Sequence, residues 1–145
     1  MKVMNKFEIA EQLERKLITG LLDTKNITNI QFSDRYARHD GEYLTTAGDK
    51  VMFEVKVRNV SSNRYPTTVI EESKYDYLKS QSCKAYLFVF FTDNKVLIQD
   101  VKTGNVRYST MNAPKTTSGN NTKIAKRFVE FNIKDATLID YEQER

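Results

Sequence analysis

The 145-residue chain holds one cysteine, Cys83, and one histidine, His39. A single thiol excludes an internal disulfide framework and a thiolate metal site. Cys83, just ahead of an apolar run, is expected to be an inert core residue. A single imidazole excludes a histidine cluster around a metal, and His39 reads either as structural or as a substrate contact. No apolar stretch is long enough to span a bilayer. The first residues, Met-Lys-Val-Met-Asn-Lys, lack the apolar run of a signal peptide. The expected location is therefore intracellular, in the cytoplasm. No internal repeat is evident. Charge imbalance is small: the net charge is +4 and the pI about 9.1, compatible with a polyanionic partner without requiring one. With 39% hydrophobic and 29% charged residues, the chain reads as one globular domain, residues 1–145, able to bury a core.

Residues 40–58 carry the strongest local pattern. They read as two strands joined by a turn at Ala47-Gly48-Asp49, where Gly48 is free to take a positive φ. In the second strand Val51, Phe53, Val55 and Val57 share one face, and Met52, Glu54, Lys56 and Arg58 the other. Folding this hairpin about Ala47 sets Asp40 opposite Glu54, with Lys56 two residues along on the same face. Two carboxylates beside an ammonium suit a hard divalent cation such as Mg²⁺. A lysine there could orient or help deprotonate an attacking water. The same residues also read as a solvated strand face.

Elsewhere the chain reads as follows. Residues 5–22 form an amphipathic helix with Ala10, Leu13, Leu17 and Leu21 on its apolar arc. Glu14 lies near the middle of that arc, where a carboxylate is costly unless paired, solvated or metal-bound; Glu11 lies at its margin. Residues 23–28 form a polar loop, and 29–33 a short strand. Residues 34–40, with Arg35 and Arg38, are either an exposed loop or a phosphate-binding approach. Thr68-Val69-Ile70-Glu71 reads as a capping box opening a helix that runs to about Gln81, with Ile70, Tyr77 and Leu78 on its core side. Lys74 on that helix either snorkels or serves the site. Residues 85–91 form a strand buried on both faces; 95–101 and 126–133 form further strands, with 105–110 a candidate. Residues 111–123 are read as a mobile loop. Lys115, Lys123, Lys126 and Arg127 in and after it are either solvated or in contact with nucleic acid. Residues 141–145 are expected to fray.

An Asp, a hairpin turn and then Glu54-Val55-Lys56 inside a hydrophobic strand resembles the PD-(D/E)XK nuclease superfamily. The proline of that signature is absent, since His39 precedes Asp40. The segment Glu14-Arg15-Lys16-Leu17-Ile18 is similar to the first helix of archaeal-type Holliday junction resolvases. The resemblance implies an α/β domain, a central mixed sheet flanked by helices with an αβββαβ core of restriction-endonuclease type. It also implies a Mg²⁺-dependent endonuclease, Mn²⁺ substituting, that cuts DNA (RNA staying open). In that reading Asp40, Glu54 and the Val55 carbonyl bind metal, Glu14 contributes to the metal site, and Lys56 orients the water. Arg35, Arg38, Arg58 and Lys74 become phosphate contacts, and a homodimer would cut one strand per site. A nuclease-like fold kept only for binding nucleic acid or protein is the alternative, beside an unrelated α/β protein with a chance Glu-x-Lys.

Overall fold

The computed structural model describes residues 3–34, 37–114 and 123–145. Helix α1 spans Lys6–Asp23; Asn5 caps it by accepting the Glu8 N–H at 2.8 Å, which satisfies one of the amides left open at a helix start. Strands β1 (Gln31–Phe32), β2 (Gly41–Leu44), β3 (Lys50–Val57), β5 (Lys84–Phe90), β6 (Lys95–Asp100) and β9 (Thr137–Asp140) form a six-stranded sheet in the order β1-β2-β3-β5-β6-β9. Only β3 and β5 run parallel, which makes the sheet mixed. The crossover between them carries β4 (Thr67–Glu71) and helix α2 (Glu72–Ser80). Strand β4 belongs to a second, three-stranded sheet with β8 (Lys123–Asn132) and β7 (Val106–Pro114), in the order β4-β8-β7.

The period-2 alternation of β3 separates two apolar clusters. Val51, Phe53 and Val55 pack with Leu17, Ile18, Leu21 and Leu22 of α1. Met52 joins the opposite cluster with Tyr75 and Leu78 of α2, Ile70 of β4, and Val129 and Phe131 of β8. Strand β5 is shared in the same way, with Phe88 and Phe90 in the α1 cluster and Leu87 and Val89 in the other. The molecule is thus layered: α1, the mixed sheet, then α2 with the small sheet. Among the described residues no helix is long and apolar enough to cross a membrane.

Several sequence expectations need correction. Thr68-Val69-Ile70-Glu71 does not open α2. It is strand, paired antiparallel with β8 from Thr67↔Asn132 to Glu71↔Phe128. A β-branched run with a distant partner prevails over the local capping pattern, and Glu71 stands at the helix N-cap without a side-chain cap bond. Tyr75, rather than Tyr77, is the buried aromatic of α2. The segment expected as a loop from 111 to 123 is shorter: β7 runs through Pro114 and β8 begins at Lys123. Residues 115–122, with Lys115, lie outside the described residues. Cys83 is half-buried against the α2-side cluster. The end of the chain is tied down. Tyr141 N–H donates to Asn94 O at 2.9 Å, and the Gln143 side-chain amide to Phe91 O at 3.0 Å. A Cβ on Gly20 would collide with the Tyr141 hydroxyl, so the helix and the tail fit each other closely.

Candidate active site

The site lies where β2 leaves β3. Strand β2 pairs with β3 from Leu44↔Lys50 only as far as Gly41↔Phe53, whereas β5 accompanies β3 to Val57↔Phe90. Residues 54–57 therefore have a ladder partner on one side only, and backbone donors there need another acceptor. Asp40 supplies it: its Oδ2 accepts the Val55 N–H at 2.7 Å, and its own N–H donates to Phe53 O at 2.9 Å. The hairpin register, centred on Ala47 with Gly48 at φ +88°, places Asp40 opposite Glu54. Gly41 permits this close approach, since a Cβ there would meet the Phe53 ring at 2.7 Å and the Gln31 carbonyl at 2.8 Å.

Glu54 is only 1% exposed. Its Oε1 receives two ammonium groups, Lys74 at 2.9 Å and Lys56 at 3.3 Å, and its Oε2 has no hydrogen-bond partner among the described residues. A buried carboxylate is tolerable only when compensated in this way. Lys74 comes from the first turn of α2. Burial by itself would lower the pKa of its ammonium. Attraction and hydrogen bonding to Glu54, with Asp40 beyond, outweigh burial and raise it. Burial first, then repulsion from Glu54, pushes Asp40 up to about 7, against the pull of the Val55 N–H bond. Burial also raises Glu14; Lys56 opposes that shift and Glu54 adds to it.

Glu14 reaches the same place from α1. It lines a cavity of about 490 Å³ together with Asp40, Glu54, Val55, Lys56 and Lys74. Glu11, Arg15 and His39 also line it. Arg15 was not singled out by the sequence, although it follows Glu14 directly and lies one turn beyond Glu11. Its guanidinium pairs with Glu11 at 2.9 Å, donates to Ser33 O at 3.2 Å, and lies 4.7 Å from the centre of the Phe32 ring. His39 stacks on Tyr77 with centroids 5.7 Å apart, and its buried Nδ1 has no hydrogen-bond partner among the described residues. Burial lowers the His39 pKa despite Glu42 nearby.

The expected arginines are scattered. Arg38 is exposed and lies 5.9 Å from the Tyr77 ring centre, beside the cavity but not among its lining residues. Arg58 donates to Val69 O at 2.8 Å and lines a separate cavity; burial lowers its pKa. Arg35 lies outside the described residues.

Among the described residues, no three His, Cys, Asp or Glu side chains are gathered closely enough to enclose an ion. The donor set therefore does not form a closed protein cage. It fits a cation that keeps much of its water: Glu54 has a buried oxygen without a partner, and the Asp40 carboxylate is held at the open edge of β3.

No protein-family model matches the chain, and a sequence search of the curated proteins returns no match. Among solved structures, Archaeoglobus fulgidus Hjc, a Holliday junction resolvase from an archaeal hyperthermophile, matches with a TM-score of 0.55 at 12% identity. The match covers 92% of this chain and 98% of that one. The likeness is one of fold: the chain has the mixed α/β architecture of that resolvase.

Proposed function

We propose that the protein is a divalent-metal-dependent endonuclease of PD-(D/E)XK type that hydrolyses phosphodiester bonds of DNA, with a preference for branched, Holliday-junction-like substrates. The observation that carries the reading is the convergence of Asp40, Glu54 and Lys56, with Glu14 from α1, on one cavity at the unpaired edge of β3. That this edge belongs to a resolvase-like fold supports it further.

Asp40, Glu54 and the Val55 carbonyl would hold Mg²⁺ or Mn²⁺, and Glu14 would hold one of its waters or a second ion. The cation supplies charge neutralisation at the phosphodiester and a more acidic water. The chain's own residues do the rest. Lys56 and Lys74 both pair with Glu54 and balance its charge. With that charge balanced by a bound cation, Lys56 would orient the attacking water and Lys74 would meet a phosphate oxygen. Arg15 and Arg38 offer guanidinium forks to flanking phosphates. A homodimer with one site per strand belongs to the same reading.

The rival is a nuclease-like fold retained for binding. One observation favours it: Glu54 already has two cationic partners. Incubation with linear, nicked and four-way-junction DNA in Mg²⁺ or Mn²⁺, with EDTA as control, separates the two. The nuclease reading expects metal-dependent cleavage abolished by EDTA and fastest on the junction. Binding without cleavage in either metal would contradict it.

A further inference from the structure

The distribution of charge points to a second surface. Residues 101–129 contain six Lys or Arg and no Asp or Glu, while the other 116 residues contain 17 basic and 19 acidic ones. The surplus of positive charge therefore resides in the stretch that builds β7 and most of β8. Pairing between β4 and β8 stops at Glu71↔Phe128, but β7 and β8 stay paired for five more rungs, from Thr110↔Arg127 to Pro114↔Lys123. Over these rungs the hairpin is a two-stranded ribbon about 15 Å long. Thr110, Met111, Asn112, Ile124 and Ala125 are all exposed. A bare two-stranded ribbon is marginal in water, so its extension past the sheet is unexplained by packing.

The root of the ribbon is fastened beside the site. Lys126 pairs with Glu71 at 3.4 Å and Arg127 with Glu72 at 2.6 Å, at the start of the helix that delivers Lys74 to Glu54. Arg107 pairs with Glu130 at 3.2 Å with its side chain 80% exposed; that of Arg127 is 60% exposed. Exposed pairs of this kind are weak, and their cations can exchange a carboxylate for a phosphate. The free edge of β7 carries Arg107 and ends at Pro114, features that discourage pairing with another copy of the chain.

We propose that this ribbon is a contact arm for duplex DNA, laid into the major groove beside the cleavage point, with Arg107, Lys126 and Arg127 on the flanking phosphates. A two-stranded ribbon matches a groove about 12 Å wide. The choice of partner rests on the nuclease reading, and the test keeps the two apart. Binding of the full chain to a labelled linear duplex of more than two helical turns is titrated in Ca²⁺ at several salt concentrations. Single-turnover cleavage in Mg²⁺ is measured alongside, at saturating enzyme.

For R107Q/K126Q/R127Q the slope of log K against log salt should become shallower by about 3, roughly one per lost phosphate contact. Cleavage at saturation should stay at the wild-type rate. R107Q alone, at a side chain 80% exposed, should lower the slope by about 1 even if the triple variant folds poorly. Unchanged slopes in both variants would overturn the arm while leaving the nuclease reading intact. Shallower slopes without any metal-dependent cleavage would support the arm and sink the nuclease. A variant that loses self-association but keeps its salt slope would assign the ribbon to a second copy instead and overturn the proposal.

Discussion

On the α1 side of β3, Val51, Phe53 and Val55 are shut away from water inside an apolar cluster. On the other side Met52 is treated the same way, but Glu54, equally buried, holds two ammonium groups, and Lys56 opens onto the cavity. One strand thus serves two purposes, separated by the pleat and by where β2 stops. Residues paired on both edges build the core. Glu54 and Lys56, where β3 is paired only with β5, belong to the proposed catalytic site, while the Val55 side chain stays in the core. The contrast says that substitutions of the apolar side chains should cost stability alone, and those of the charged side chains at the open edge should cost turnover.

The largest effect expected is on turnover. Asp40→Asn should leave no measurable cleavage, because it removes one of the two charged carboxylates proposed to hold Mg²⁺, yet the Asn oxygen can still accept the Val55 N–H and keep the edge closed. Glu54→Gln should be equally inactive but also less stable, since Lys56 and Lys74 would lose their shared counter-charge. Single-turnover assays beside thermal melts check both. If either variant cut DNA at the wild-type rate with metal saturating, the division between the faces would fail.

Lys56→Ala comes next. It removes the group assigned to the water but no metal ligand, so cleavage should fall by about two to four orders of magnitude. Ca²⁺ binding should survive. Phe53→Ala, on the opposite face, should show the converse: a loss of about 3–5 kcal/mol in unfolding free energy, with cleavage per folded molecule retained. Chemical denaturation and active-site-normalised rates measure the two quantities.

A smaller effect concerns pH in the absence of metal. Asp40 titrates at about 7 in the folded chain against an ordinary 3.8. Between those values the folded state binds more protons than the unfolded one, so Asp40 makes stability fall as pH rises, fully so above pH 7. Glu14, also raised, acts in the same direction. His39, lowered by burial, acts in the opposite one as pH rises toward 6.5. The difference between wild type and Asp40→Asn isolates the first contribution: the variant should lose less stability from pH 4 to pH 7 in EDTA. Equal slopes would mean that neither burial nor Glu54 raises Asp40.

Much of this was legible in the sequence wherever structure is local. The alternation in residues 51–57 and the turn at Gly48 fix the register that sets Asp40 against Glu54, because a slip of one residue would expose the whole apolar face. Glu14 was legible as a carboxylate on the wrong side of an amphipathic helix. Strand β4 was not, because Thr68-Val69-Ile70-Glu71 satisfies a helix-start pattern locally and becomes strand only through β8, some 60 residues further on. The same long-range pairing hid the second sheet and shifted the buried aromatic of α2 to Tyr75. Strand β9 and the tail were missed because their partners lie far back along the chain: β9 pairs with β6, and Tyr141 and Gln143 donate to the Asn94 and Phe91 carbonyls. The double lysine clamp on Glu54 needs Lys74 from another layer, and no spacing along the chain announces it.

The most direct measurement is the melting temperature with and without Mg²⁺ for wild type and Asp40→Asn, near pH 8, above the value of about 7 to which Asp40 is pushed. The polar face of β3 is held to be a cation site whose charges repel when it lacks its ion. Wild type should therefore melt several degrees higher in saturating Mg²⁺ than in EDTA. Asp40→Asn should melt above wild type in EDTA and respond little to Mg²⁺. A wild-type melting temperature indifferent to Mg²⁺, or a variant that gains as much from the ion as wild type does, would contradict the account.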